Sequence, residues 1–273
     1  MSSQVVLITG ASAGFGRVCA EHLSLHGHRV YGTSRRAGVP EPGETSAGPR
    51  MIPMDVCDDD SVRAAVDLVL AREGRLDVVV NNAGVGVAGS VEDTLPEEAQ
   101  ALFETNFFGV HRVCRAVLPA LRRQGSGLIV NVSSLGGRMT LPFQGFYSAS
   151  KFAVESMTDA LRMEVKPFGI RVTMIEPGDF KTDFTANRTF ARASGGDSVY
   201  AERCRLAVSV MAKDELGGSD PMQVARLVAR VMEKDAPRAR YPIGSLPERV
   251  FVGLKRFLPD ALFERGVSAY YKV

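Results

Sequence analysis

The stretch Val5-Val6-Leu7-Ile8-Thr9-Gly10-Ala11-Ser12-Ala13-Gly14-Phe15-Gly16 runs from an apolar, β-branched segment straight into a glycine-rich turn, and a helical segment follows as far as Gly27. Val5 to Thr9 reads as a strand buried on both faces. Glycines at 10, 14 and 16 permit a tight turn and let backbone amides approach a pyrophosphate, while the N-terminus of the next helix adds a partial positive charge. A glycine turn alone is common and often binds nothing. Its position between a first strand and a first helix is what points to a dinucleotide.

Working outward, similar runs recur at Arg29 to Thr33, Met51 to Met54, Leu76 to Val80, Leu128 to Val132, Ile170 to Ile175 and Arg240 to Ile243, separated by helix-length segments. Continuous apolar runs such as Val78-Val79-Val80 predict an α/β fold, with a parallel sheet between two helix layers. Proline interrupts only the third run, at Pro53, and the seventh, at Pro242. A doubly wound order 3-2-1-4-5-6, extended by a seventh strand, places both at sheet edges, where proline is tolerated.

The 273 residues carry a formal net charge of +2, are 45% hydrophobic and 23% charged, and have a mean hydropathy of zero. That composition fits a soluble globular chain and excludes disorder or a fibre. Although 26 arginines outnumber 7 lysines, 31 acidic residues balance them, so no global field favours nucleic acid or an anionic membrane. Cys19, Cys57, Cys114 and Cys204 lie far apart without a C-x-x-C pair, which signals neither a metal site nor a disulfide framework. Met1 to Gly10 lacks the features of a signal peptide, and no apolar run reaches membrane-spanning length. A cytoplasmic protein is expected.

No repeat or low-complexity tract appears, and the Gly/Pro-rich residues 38–50 read as a surface loop, so a single domain over 1–273 is expected. The stretch from Asp179 to Gly218 shows no strand pattern. It reads either as a surface helical excursion or as a lid over an apolar ligand. In the tail, residues 244–273, Val250, Phe251, Leu254, Phe257 and Leu258 recur at helical spacing before Pro259. They predict a helix packed over a pocket or on the sheet edge, with a membrane-surface anchor or partner helix as the alternative.

Taken in order, Thr9-Gly10-x-x-x-Gly14-x-Gly16, Asn81-Asn82-Ala83-Gly84, Ser134, Tyr147-x-x-x-Lys151 and Pro177-Gly178 resemble the short-chain dehydrogenase/reductase family over about residues 4 to 243. The resemblance implies a Rossmann-type sheet, a nicotinamide cofactor and reversible carbonyl/alcohol chemistry. It implies further that Gly10, Ser12, Gly14, Phe15 and Gly16 surround the pyrophosphate, that Asp55 and Val56 flank the adenine, and that Asn82, Ala83 and Gly84 line the cofactor channel. By the same likeness Pro177, Gly178, Phe180 and Thr182 hold the nicotinamide, with Thr182 on its carboxamide. The alternatives for Asp55 are a cap for a helix starting near Ser61 or a plain surface charge.

Where an NAD site would present a carboxylate to the ribose 2′-hydroxyl, this chain has Ser34-Arg35-Arg36. Serine removes the repulsion of a 2′-phosphate and a guanidinium can bind it through two hydrogen bonds, so NADP(H) is expected with Arg35 as its ligand. The alternative is that one or both arginines are solvated loop charges.

Tyr147 and Lys151 stand four apart at the start of a predicted helix, hence on one face. A free phenol near pKa 10 is too weak an acid for neutral pH, and a nearby ammonium favours the phenolate, so Lys151 is expected to tune Tyr147 as acid/base. Ser134, thirteen residues before Tyr147, can donate to the substrate oxygen; the family spacing selects it over Ser133. Asn106, in the predicted helix Pro96 to Arg123, is a mediocre helix former, and the resemblance assigns it a helix distortion and a water relay to the lysine.

No metal is needed. The walls Val85 to Val91, Gly136 to Phe146 and the excursion after Pro177 are mostly apolar, favouring a small hydrophobic carbonyl or alcohol over a sugar phosphate. Phe15 and Thr182-Asp183-Phe184 look most like the hydroxysteroid and retinol dehydrogenase members. Family members commonly pair through helices matching Pro96 to Arg123 and Tyr147 to Val165, so a homodimer or homotetramer is expected. A nicotinamide-binding sensor or scaffold without turnover is the other functional class, which the intact Ser134, Tyr147 and Lys151 disfavour.

Overall fold

The computed structural model describes residues 3–38 and 48–273. Most of the expected surface loop, residues 39–47, lies outside them. The first strand, β1 (Val5–Ile8), passes through the glycine turn into α1 (Gly14–Leu25), and β2 (Arg29–Ser34) follows. Next come β3 (Arg50–Pro53), α2 (Asp59–Glu73), β4 (Val78–Asn81) and a two-residue strand β5 (Val87–Ala88). A long helical stretch is split into α3 (Pro96–Phe103) and α4 (Gly109–Gln124) by one π-helical turn, Glu104–Phe108, centred on Asn106.

The second half contains β6 (Gly127–Val132), α5 (Gly145–Val165) and β7 (Ile170–Pro177), then α6 (Phe184–Asn187), β8 (Thr189–Phe190) and α7 (Ala201–Leu216). It closes with α8 (Met222–Met232), β9 (Arg240–Ile243), α9 (Leu246–Leu254) and α10 (Asp260–Tyr271). The main sheet has seven parallel strands in the order β3-β2-β1-β4-β6-β7-β9. Counted within that sheet alone this is 3-2-1-4-5-6-7, the expected Rossmann-type doubly wound arrangement.

Alternation along the strands explains the two helix layers. Leu7, Val79, Ile129 and Val172 face a cluster built with α2, α4 and α5, whereas Val6, Ile8, Val78, Val80, Leu128 and Val130 face one built with α1 and α8. Each such side chain is fully buried, which stabilises the fold by roughly 1.5–3 kcal/mol apiece before entropy is counted. Pro53 and Pro242 sit on the two edge strands, as the proline argument requires. Pro177 ends the interior strand β7 beyond its last pair with β6, Val132–Ile175, and so breaks no ladder there.

One local expectation needs correction, and one alternative is removed. The excursion after Asp179 does contain a strand, since β8 pairs in parallel with β5 through Val87–Thr189 and Ala88–Phe190. Two extended residues leave no periodicity to read, and their partner is remote in sequence. The alternative of Asp55 as a helix cap falls away, and its expected place beside the adenine is not touched by this. α2 starts at Asp59, and Asp58 caps it by accepting from the Ser61 amide, while Asp55 Oδ1 accepts from the Cys57 amide. Among the described residues, no helix is long and apolar enough to cross a membrane.

Candidate active site

The strand order reverses between β1 and β4, and the crevice beyond their C-terminal ends is where doubly wound sheets bind ligands. A cavity of about 1700 Å³ opens there. The loop after β1 forms one wall. Gly10 has φ +65°, and a Cβ there would come within 2.9 Å of the Ala83 Cα, so only glycine fits. Gly16 lies behind the wall, where a Cβ would overlap the Gly10 carbonyl and the Asn82 amide. No side chain caps α1 and no acidic residue stands in its first turn. Those free amides and the glycine cradle fit the pyrophosphate of a dinucleotide.

Thr9, which opens the glycine motif but has no role assigned from the sequence, fixes this loop. Thr9 is 2% exposed, and its Oγ1 accepts from the amides of Asn82 and Ala83 at 2.9 and 3.0 Å. Asn82 returns the link by donating from Nδ2 to the carbonyls of Thr9 and Gly10 at 2.9 and 3.2 Å. The ends of β1 and β4 are thereby locked together, which places Ala83 and Gly84 on the cavity wall. Ser12, Gly14 and Phe15 complete the near side, and Phe15 meets Phe180 edge to face at 5.2 Å.

At the end of β2, Ser34, Arg35 and Arg36 line the far end of the cavity with Asp55 and Val56. Ser34 Oγ accepts from the Arg36 amide at 3.3 Å, and Arg35 and Arg36 are both exposed at the rim. On the opposite side Pro177, Gly178, Phe180 and Thr182 follow β7 along the wall. A Cβ on Gly14 would lie 3.8 Å from that of Thr182, so the segment after β7 folds over the glycine loop.

Ser134, Tyr147 and Lys151 converge at the centre. Ser134 Oγ accepts from the Gly136 amide at 3.0 Å and donates to the Pro177 carbonyl at 3.4 Å. A Cβ on Gly136 would lie 3.3 Å from Ser134 Oγ and 3.5 Å from the Tyr147 ring, so that glycine keeps the two hydroxyl-bearing residues on one wall. Ser133, the rival serine, is 4% exposed, with its hydroxyl against Gly137. Lys151 Nζ lies 5.9 Å from the centre of the Tyr147 ring, and a Cβ on Gly84 would lie 3.7 Å from it.

Asn106 sits behind the wall at full burial, on the π-helical turn. Its Oδ1 accepts from the Val85 amide at 2.8 Å, and its Nδ2 donates to the Val85 carbonyl at 3.0 Å and to Ser150 Oγ at 3.2 Å. The expected helix distortion is present, and the side chain ties it to the segment after β4. Ser150, which the sequence did not single out, donates to the Tyr147 carbonyl at 2.7 Å and so connects this knot to α5.

Burial governs the electrostatics. It pushes the Tyr147 hydroxyl up to about 12, and the Ser134 hydroxyl opposes that in part. It pushes the Lys151 ammonium down to about 8, with the Glu155 carboxylate holding it up. The ammonium expected to tune Tyr147 is itself desolvated and donates to the Val132 carbonyl at 3.1 Å. One turn beyond Lys151, Glu155 pairs with Arg240 at 2.8 Å, and Arg240 also reaches Glu176 at 3.3 Å.

The end of the cavity beyond Tyr147 is apolar with an acidic patch. Phe184 lies 5.6 Å from the Tyr147 ring, and Leu135, Met139 and Val252 belong to one apolar cluster with Phe263 and Val267. The tail is a pair of helices, α9 and α10, whose inner face walls the cavity. Tyr270 on α10 donates to Asp214 on α7 at 2.9 Å, strapping the tail across the excursion. Asp179, on the same wall, is pushed up to about 7 by burial and by the carboxylates of Glu248, Glu215 and Asp214. Glu248 is engaged with Ser245 and the Asp179 amide, and Glu215 with Arg188 and Thr185.

Comparison with known proteins agrees with this geometry. Residues 4–192 match the family model described as short chain dehydrogenase. The 3-ketodihydrosphingosine reductase of Bacteroides thetaiotaomicron is 41% identical over 273 residues, the full length of both chains. The dehydrogenase/reductase SDR family member 7B of Bos taurus is 33% identical, with 84% of this chain and 70% of that one covered. The crystal structure of a short-chain dehydrogenase from Streptomyces avermitilis superposes with a TM-score of 0.82 at 32% identity, covering 99% and 96% of the two chains.

Proposed function

The chain belongs to the short-chain dehydrogenase/reductase family, and from that premise we propose that it is an NADP(H)-dependent reductase of a hydrophobic ketone, with a long-chain amino ketone as its preferred substrate. The observation that carries this reading is the convergence of Ser134, Tyr147 and Lys151 on the one cavity whose other end is the glycine loop. A bound nicotinamide supplies the hydride. Gly10, Ser12, Gly14 and the amides of α1 hold its pyrophosphate, and Arg35 beside Ser34 takes the 2′-phosphate that a carboxylate would repel.

As negative charge develops on the carbonyl oxygen, the Ser134 hydroxyl donates to it and Tyr147 transfers its proton. The Lys151 ammonium stabilises the phenolate left on Tyr147, and Asn106 keeps the segment at Val85 in place behind it. Such positioned donors contribute typically 10²–10⁴-fold each. The apolar walls favour a hydrocarbon chain, and the Asp179 patch favours a cationic group near the carbonyl. The B. thetaiotaomicron relative, named for a long-chain base ketone, supports that choice.

Four unpaired cysteines, three of them buried, suit the cytoplasm, and pairing through α4 and α5 in a homodimer or homotetramer fits the family. The test is loss of NADPH absorbance with 3-ketodihydrosphingosine and a panel of hydrophobic ketones, aldehydes and alcohols. The reading expects turnover with NADPH preferred over NADH. Tight NADPH binding with no turnover of any of them in either direction overturns it.

A further inference from the structure

The two tail helices have an exposed apolar face that runs from the rim of the cavity outward. On α9, Leu246, Val250 and Leu254 share one side at four-residue spacing and are 64%, 51% and 43% exposed. Phe257 in the following turn is 77% exposed, and Leu262 on α10 is 54% exposed. Between them stand Arg249, Arg256 and Arg265, all exposed and in no ion pair among the described residues. The inner face is already satisfied, because Val252, Phe263 and Val267 pack on Leu135 and Met139, and Phe251 stacks on Phe263 at 4.9 Å.

Two members of the outer stripe, Val250 and Leu254, also line the cavity, so the apolar surface is continuous with the mouth of the substrate chamber. We infer that the α9–α10 surface seats on an anionic lipid bilayer and that a lipid substrate passes between bilayer and cavity past Val250 and Leu254. The inference rests on reading the substrate as a long-chain amphiphile. A long alkyl chain is poorly carried through water, and a mouth opening on the bilayer removes that step.

Apolar side chains interleaved with unpaired arginines are the composition of an interfacial helix, the apolar set entering the headgroup boundary and the cations meeting anionic lipid. A second copy of the chain fits less well, since a twofold contact would set the arginine patch against itself. The balanced global charge does not oppose docking, because surface attraction acts within a Debye length of the patch.

The test is sedimentation of the full-length protein with vesicles of phosphatidylcholine containing phosphatidylglycerol, against vesicles of phosphatidylcholine alone, at low and high salt. Wild type is expected to bind the anionic vesicles and to release them at high salt. Replacing Leu246→Asp and Phe257→Asp together should cut binding on the order of tenfold or more. Arg249→Glu with Arg256→Glu should remove the preference for anionic lipid, about fivefold per residue. None of these four residues lines the cavity, so turnover of a short, freely soluble ketone should stay at the wild-type value.

Absence of vesicle binding by wild type, or equal binding by the variants, overturns the inference. So does a concentration-dependent dimer that the Leu246→Asp, Phe257→Asp variant dissolves. Vesicle binding together with no turnover of lipid ketones supports the docking surface while removing the substrate reading, so the two fail separately.

Discussion

Lys151 Nζ donates to the carbonyl oxygen of Val132 at 3.1 Å, joining the first turns of α5 to the last residue of β6. The bond fixes the ammonium beneath Tyr147, and the same burial lowers it to about 8, with Glu155 holding it up. Reduction should therefore lose kcat as pH rises through about 8, where Lys151 discharges. Glu155→Gln removes the supporting carboxylate and should move that break to lower pH, with Glu155→Asp intermediate. A pH profile of kcat checks this, and an unmoved break would mean that Glu155 acts only through packing.

Tyr147→Phe deletes one oxygen from a ring that is 8% exposed and packed against Phe184. The fold and NADPH affinity should be retained, while kcat falls on the order of 10²–10⁴-fold. Fluorescence titration of NADPH alongside steady-state rates separates the two effects.

Asn106→Ala leaves the Val85 amide and carbonyl without their side-chain partners and removes a donor to Ser150. A stranded buried group costs about 1–3 kcal/mol, and the two Val85 groups are only partly buried, so a loss of roughly 2 kcal/mol in denaturant unfolding is expected. A loss under about 1 kcal/mol would show that the π-helical turn holds itself.

Arg35→Glu places a carboxylate where the proposed 2′-phosphate would sit. The ratio of kcat/KM for NADPH over NADH should fall on the order of a hundredfold. An unchanged ratio would assign Arg35 to the solvent.

Asp179→Asn tests the acidic patch in two ways. A carboxyl raised from its ordinary value to about 7 binds a proton more readily folded than unfolded, so its stabilising effect is present at low pH and lost as pH rises through about 7. The variant should therefore be more stable than wild type at pH 8, by up to about 4 kcal/mol, and not at pH 4. Its KM for an amino ketone should rise while that for an uncharged ketone does not, and the wild-type KM for the amino ketone should fall as pH climbs through about 7.

Much of the site was legible because it is local. The glycine loop, the Tyr147 to Lys151 spacing and the two edge prolines each depend on a few consecutive residues, and all seven sheet strands lie where β-branched runs place them. What escaped depends on distant partners. Thr9 looks like an ordinary strand end until Asn82 and Ala83 are seen to share its hydroxyl. β8 has no pattern of its own and exists through β5. The second tail helix is anchored by Tyr270 on Asp214, and Glu155 with Arg240 forms a pair across β7, none of which spacing alone can announce.

In the proposed reaction Tyr147 hands a proton to a carbonyl oxygen as hydride arrives on its carbon. NADPH deuterated at the transferable position, supplied with 3-ketodihydrosphingosine, tests it most directly by the mass of the alcohol formed. The account predicts one deuterium at the former carbonyl carbon with wild type, and little product with Tyr147→Phe although that variant still binds NADPH. Product without deuterium, or undiminished turnover by Tyr147→Phe, would contradict it.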